Sequence, residues 1–345
     1  MLYDINGNVV YSDDINCKII AHRGYFVDVI QNTIPAFKSA HKNGFRWIEV
    51  DVHRCTDGFY ILSHDTVVTL YNSGSPVRVD FRESAYETIK GYTWDSAGVY
   101  KLNTLQAALN TLMTYDMRVI LDIKSGTNAE LMYIAAMCGA TDRVMLSYTS
   151  FSRAYADRDL LNQYDNVPVR CVPSDFSNFA NLKAAIANPL YADVNSTVND
   201  HWQKYLNIAL SCGLPIIFSG CTTSNYERWC VLANGAMANS NDNIPYSTFF
   251  DLLTNDYDHP TTITPSAQSL SLDVNGTETL SGTSDLNDAG GYVYMYSVNP
   301  SIATVTQTVF GQTGTATITG KSAGSTVIRM FDGCGEIVDV SITVT

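Results

Sequence analysis

The chain contains no apolar run of about 18 residues, so no segment reads as a membrane-crossing helix. Its opening stretch, Met-Leu-Tyr-Asp-Ile-Asn-Gly-Asn, has neither a basic nor an apolar region and does not read as a signal peptide. None of the eight cysteines stands in a Cys-x-x-Cys pair, which removes a cysteine-based metal site. Buried free thiols are the expectation, with a bridge among Cys212, Cys221 and Cys230 as the alternative. Positive charge is scarce: 21 Lys and Arg against 34 Asp and Glu leave a net charge of −13, which argues against nucleic acid as the main partner. No Gly-x-Gly-x-x-Gly follows the first apolar run, so a doubly wound dinucleotide-binding sheet ranks behind other α/β folds.

What is present fits a large domain followed by a small one: 345 residues, 46% of them hydrophobic. Residues 1–16 read as an N-terminal extension with an Asn6-Gly7 turn. From residue 17 to 258, about nine strand-like runs alternate with helix-like ones, among them Thr33–Asn43, Leu105–Tyr115, Ala129–Cys138, Phe151–Gln163 and Tyr226–Leu232. This alternation predicts a TIM (β/α)8 barrel, the extra strand belonging to a hairpin at Asp57-Gly58 or to the closing segment. Residues 66–100 look less regular, with a polar turn at Tyr71–Pro76, a short helix near Ala85–Lys90 and an aromatic patch, as in a lid. After an Asp258-His259-Pro260 linker, residues 262–345 are rich in Thr, Ser, Val and Gly in short alternating runs, which predicts a small all-β sandwich.

Three polar groups stand at the ends of apolar runs in the barrel's first part: His22-Arg23-Gly24, Glu49-Val50-Asp51 and His64-Asp65. Buried charges need partners, so such a set marks a site. Glu49 and Asp51 are two residues apart on a strand and share one face, where they repel unless a cation sits between them. Hard oxygen ligands suit Ca2+ or Mg2+. Asp122-x-Lys124 repeats the period at another strand end and offers a third carboxylate and a cation. Two histidines can divide acid and base roles near neutral pH. His53 lies on the same side as Asp51 and is a minor candidate.

In this order, His22-Arg23-Gly24, Gln31-Asn32-Thr33 with Pro35-Ala36-Phe37, Glu49-Val50-Asp51, Thr56-Asp57-Gly58, His64-Asp65, Leu121-Asp122-Ile123-Lys124 and Ser147-Tyr148 resemble the glycerophosphodiester phosphodiesterase family. The resemblance runs from about Cys17 to Asn243. It implies a TIM barrel, one divalent cation on Glu49, Asp51 and Asp122, His22 and His64 as the acid/base pair, and Arg23 and Lys124 against the phosphate. Asn32, Trp94, Tyr148 and Phe218 are candidate pocket residues. The chain departs from the family pattern at Gln31, at Asp122, at Phe218-Ser219-Gly220 and at Asn239-Ser240. The run from Gly314 to Thr326, Gly-Thr-Ala-Thr-Ile-Thr-Gly-Lys-Ser-Ala-Gly-Ser-Thr, resembles a bacterial immunoglobulin-like domain, a type found on surface and secreted proteins. The implied function is hydrolysis of a glycerophosphodiester, a small-molecule substrate, to glycerol 3-phosphate and an alcohol. Alternatives are a phospholipase D-like or teichoic-acid-directed phosphodiesterase on the same barrel, or a non-catalytic surface module. The C-terminal unit directs the expectation to the outside of a bacterial cell, with a missing leader; the N-terminus itself fits a cytoplasmic protein equally.

Overall fold

Strands and helices alternate because short apolar runs buried on both faces are separated by capped amphipathic segments. The computed structural model describes residues 19–174, 177–195, 202–221, 235–238, 261–287, 291–332, 334 and 336–345. The expected 1–16 extension, the helix Tyr226–Leu232, the Asp258–Pro260 linker, Asn239-Ser240 and Cys230 lie outside the described residues. The barrel part consists of β1 (Ile19–His22), α1 (Ile34–Lys42), β2 (Trp47–Arg54), β3 (Tyr60–Leu62), β4 (Val67–Asn72), β5 (Ser75–Asp80), α2 (Tyr86–Ile89), α3 (Leu105–Thr114), β6 (Arg118–Ile123), α4 (Asn128–Met137) and β7 (Val144–Tyr148). It continues through α5 (Phe151–Ala156), α6 (Arg158–Leu161), β8 (Val169–Cys171), α7 (Ser177–Ala185), β9 (Leu190–Asn195), α8 (Trp202–Ser211), β10 (Ile216–Cys221) and β11 (Gly235–Ala238).

Hydroxyl caps set the helix starts. Thr33, Thr104, Thr127 and Ser150 accept hydrogen bonds from the amides of Ala36, Ala107, Glu130 and Arg153, satisfying donors the first helical turn leaves open. Glu130 takes a second bond from the Thr127 hydroxyl at 3.0 Å. The expected Phe151–Gln163 helix is broken at Asp157 into α5 and α6.

The parallel strands run in the order β1-β11-β10-β9-β8-β7-β6-β2, and β1 also pairs with β2, so eight strands close into a ring. β3 adds antiparallel to the end of β2 through the Asp57-Gly58 turn, which accounts for the ninth strand. The segment read as irregular is an antiparallel hairpin, β4 with β5, turning at Ser73-Gly74. Val67-Val68-Thr69-Leu70 and Val77-Arg78-Val79 alternate about a turn whose two residues both have positive φ, a strand signal missed beside the polar turn.

Parity sorts the barrel side chains into two sets. Ala21, Ile48, Val50, Leu121, Leu146, Val169, Ala192, Val194 and Phe218 join the helices in one large core. Ile20, Trp47, Ile120, Met145 and Ile217, with Tyr191 against them, form a separate cluster that floors the barrel interior. One step of two residues further along the same strands lie His22, Glu49, Asp122, Ser147 and Asp193.

The C-terminal part has two four-stranded sheets. One is ordered β12 (Ile263–Pro265), β14 (Thr277–Ser284), β17 (Thr313–Gly320), β16 (Ala303–Val309); the other β13 (Ser269–Leu272), β19 (Ile337–Val344), β18 (Gly324–Phe331), β15 (Tyr294–Ser297). Leu280, Val305, Ala316, Ile318, Ile328, Met330, Val340 and Ile342 form their shared core. This unit docks on α8. The Ser297 amide donates to Asn207 Oδ1 at 2.8 Å, its carbonyl accepts from Ser211 Oγ at 2.7 Å, and Tyr296 is buried within the barrel's core cluster. Asn207→Ala leaves the buried Ser297 N–H unpaired and should cost about 1–3 kcal/mol, read as a lowered Tm in thermal denaturation of the full chain.

Candidate active site

The site begins where β1 ends. Arg23 and Gly24 both take positive φ, 60° and 85°, so the chain turns sharply after His22. A Cβ at Gly24 would stand 2.9 Å from the Ala36 carbonyl carbon, which restricts the position to glycine. The Asn32 amide donates to the Arg23 carbonyl at 2.9 Å, and Asn32 itself adopts φ 54° immediately before the capped start of α1. This aims its side chain at Asp51: Nδ2 donates to Oδ2 at 2.9 Å, and Oδ1 accepts the Asp51 amide at 3.3 Å.

Asp51 is the most heavily compensated charge in the barrel's described residues. Arg23 Nε lies 3.0 Å from Oδ2 and Lys124 Nζ 3.0 Å from Oδ1, at 1% exposure of the Asp51 side chain. Against burial, Lys124, Arg23 and the Asn32 amide hold its carboxyl below the ordinary range. Glu49, also 1% exposed, has the opposite environment. Burial, and then the charges of Asp51 and Asp122, push its carboxyl well up. Its Oε2 has no hydrogen-bond partner and lies 3.8 Å from His22 Nε2. Asp122 completes the group: one oxygen from each of Glu49, Asp51 and Asp122 lies within 4.8 Å of the others. Three hard carboxylate ligands, with a buried oxygen on Glu49 left without a hydrogen bond, fit a divalent cation such as Ca2+ or Mg2+.

Lys124 Nζ bridges Asp51 and Asp122 at 3.0 Å each, so it acts first on the carboxylates. Against its own burial, Asp122 and Asp51 raise its pKa. Gln31 accepts from Arg23 at 3.0 Å and steers that guanidinium. Burial, then the Arg23 charge, lowers the His22 pKa to about 4, so its ring is neutral at pH 7. His64 is more open, and its Nδ1 donates to Asp65 at 2.8 Å. His53 stays out of the carboxylate group; its Nε2 donates to the His64 carbonyl at 3.2 Å and so supports that loop.

Residues 22–166 match the family model described as the glycerophosphoryl diester phosphodiesterase family. A glycerophosphodiester phosphodiesterase of Caldanaerobacter subterraneus is 34% identical over 116 residues, 31% of this chain and 45% of that protein. The chain spans about half the length of the curated relatives it matches. A Parabacteroides distasonis glycerophosphoryl diester phosphodiesterase structure shares the fold at TM-score 0.56 and 14% identity, over 74% of this chain and 95% of that one. An Oleispira antarctica phosphodiesterase, solved with the product sn-glycerol-3-phosphate, does so at TM-score 0.52 and 16% identity, over 68% and 96%.

Within this barrel, the structure brings together His22, Arg23, Asn32, Glu49, Asp51, Asp122 and Lys124. It corrects two candidate pocket residues. Phe218 belongs to the strand–helix core, since Ile217, not Phe218, has the inward parity. Tyr148 also packs in that core, and its hydroxyl donates to Asp157 at 3.1 Å. Trp94 packs against the cluster of the β4–β5 hairpin. Sequence reasoning missed a polar set on the far strands: Ser147, Arg170, Asp193 and Ser219. Arg170 Nη2 donates to Ser147 Oγ at 2.9 Å, Arg170 Nε lies 3.6 Å from Asp193 Oδ2, and Ser219 Oγ donates to Asp193 Oδ1 at 2.8 Å. The available signal was a charged residue inside each of two apolar runs, Val169–Cys171 and Leu190–Val194.

Because the Glu49 pKa is raised, its contribution to stability is present at low pH and is lost as pH rises past the ordinary carboxylate range. Without divalent ion, Glu49→Gln should therefore raise Tm at neutral pH by about 2–4 °C, the shift that ~1 kcal/mol produces in a domain of this size. The gain should vanish in acid, which a pH series of thermal melts checks.

Proposed function

We propose that this protein is a divalent-metal-dependent phosphodiesterase that hydrolyses glycerophosphodiesters to glycerol 3-phosphate and an alcohol. The observation carrying this reading is the convergence of Glu49, Asp51 and Asp122, with an unpaired buried oxygen on Glu49, beside His22 and Arg23 in a barrel of the phosphodiesterase family. The relative crystallised with sn-glycerol-3-phosphate adds to it.

Glu49, Asp51 and Asp122 would hold the ion, which when bound polarises a phosphoryl oxygen and offsets charge developing there. Arg23, fixed by Asp51 and Gln31, balances the phosphate's charge. Neutral His22 accepts the proton of the attacking water as a new P–O bond forms, or of a neighbouring substrate hydroxyl, in which case a cyclic phosphate forms and water then opens its ring to give glycerol 3-phosphate. His64, held through Nδ1 by Asp65, gives a proton to the departing alcohol as the old P–O bond breaks. Lys124 helps to keep Asp51 ionised and holds Asp122 in place. We read the C-terminal sheets as a bacterial immunoglobulin-like module that carries the barrel at a cell surface; the Gly314–Thr326 pattern supports this.

His22→Ala and His64→Ala should each lower kcat by about 10²–10⁴-fold with far-UV circular dichroism unchanged. Full activity of both variants on glycerophosphocholine would sink the mechanism. Comparing glycerophosphocholine with lysophosphatidylcholine and teichoic acid identifies the substrate class. Chelation should abolish turnover, and Mg2+ or Ca2+ at about 100 times its Kd should stabilise the fold by about 2.7 kcal/mol. That stabilisation should grow as pH rises above the ordinary carboxylate range, because binding displaces the Glu49 proton.

A further inference from the structure

On the reading that the barrel hydrolyses phosphodiesters, we propose that Arg170 is a phosphate-binding residue of the site, holding the substrate's phosphate from the strand opposite His22. The ring order places β8 four strands from β1, so Arg170 faces the carboxylate side across the barrel axis. The register pairs Ser147 with Arg170, and Arg170 with Tyr191, whose ring belongs to the interior floor. Arg170 thus shares the inward parity of that row, at 3% exposure. Its charge acts on Asp193, Asp122, Glu49 and Asp51, which places the guanidinium within electrostatic range of the whole group.

Two features make this a built position. Ser147 Oγ accepts from both Nε, at 3.2 Å, and Nη2, at 2.9 Å, fixing the plane of the fork. Asp193 lies 3.6 Å from Nε and is itself held by the Ser219 hydroxyl at 2.8 Å. A buried guanidinium is costly, and a planar fork suits bidentate contact with phosphate oxygens. Lys124, the other far cation, lies between Asp51 and Asp122. Among the described residues, Glu49, Asp51, Asp122 and Asp193 face Arg23, Lys124 and Arg170, so a divalent ion leaves one positive charge in excess. One phosphodiester monoanion matches that excess, and it would sit between the carboxylate-bound ion and Arg170.

The test is calorimetric titration of inorganic phosphate and of glycerol 3-phosphate into the Mg2+-loaded full chain, its Arg170→Lys, Arg170→Gln and Ser147→Ala variants, with melting curves for each. Arg170→Gln should lose about tenfold or more in affinity for both anions, Arg170→Lys should fall between it and the parent, and Mg2+ affinity should not fall, because a cation near its carboxylates is removed. Folded Arg170 variants with the parent's anion affinity would overturn the proposal, as would a parent chain that binds neither anion. If the Arg170 variants do not fold, Ser147→Ala decides. A severalfold loss of anion affinity in the folded variant supports the proposal, and an unchanged affinity overturns it. A parent that binds phosphate through Arg170 yet leaves glycerophosphodiesters intact separates the failure of the activity from the failure of this assignment.

Discussion

Three carboxylates converge inside a barrel, and most of the surrounding structure answers their mutual repulsion. Asp51 is paired with two cations, Arg23 and Lys124, and accepts a hydrogen bond from Asn32. Glu49 keeps one buried oxygen unpaired. This asymmetry has a physical logic. A carboxylate with several cationic partners stays ionised and orients its neighbours, while one without them is poised to take up a cation. The left-handed turn at Arg23 and Gly24, the positive φ of Asn32 and the capped start of α1 all serve that arrangement, because together they aim one guanidinium and one amide at a single carboxylate.

The barrel separates its tasks by height. Ile20, Trp47, Ile120, Met145 and Ile217 close the interior below, and a layer of polar residues stands directly above them. The apolar floor keeps water out from beneath and lowers the local dielectric, so each charge above it matters more than it would at a surface. The far strands contribute Ser147, Arg170, Asp193 and Ser219 to the same layer, so polar groups line the ring on both sides of the axis. The C-terminal sheets contact the barrel through α8, on its outer helix layer, where Asn207 and Ser211 hold both backbone groups of Ser297. They bear on the packing of the barrel wall and supply nothing to the described carboxylate group.

The parts of the site that could be read from sequence are those where chemistry is concentrated in short motifs at strand ends. His22-Arg23-Gly24, Glu49-x-Asp51 and Asp122-x-Lys124 each expose a period of two or a tight turn within three residues, and the structure assembles all three. The role of Lys124 was less legible, because its contact with Asp51 depends on β2 and β6 being neighbours. Tyr148 and Phe218 were misread because strands buried on both faces show no alternation, so inward and outward parity cannot be told apart along them. The β4–β5 hairpin was missed for a different reason: its polar turn was weighed as loop, and its alternating flanks were not counted.

By itself, the sequence determined the barrel class, the change to all-β structure near residue 260 and the identity of the three carboxylates, since local periodicity and residue chemistry are enough for each. Tertiary structure alone decided the partners. Which cation meets which carboxylate, which aromatic leaves the interior, and that Arg170 and Asp193 join a site begun at His22 all follow from closure of the ring. Closure brings together strands more than a hundred residues apart in the chain, and the pairwise energies that matter there act through space at a few ångströms, a distance along which sequence separation carries no information.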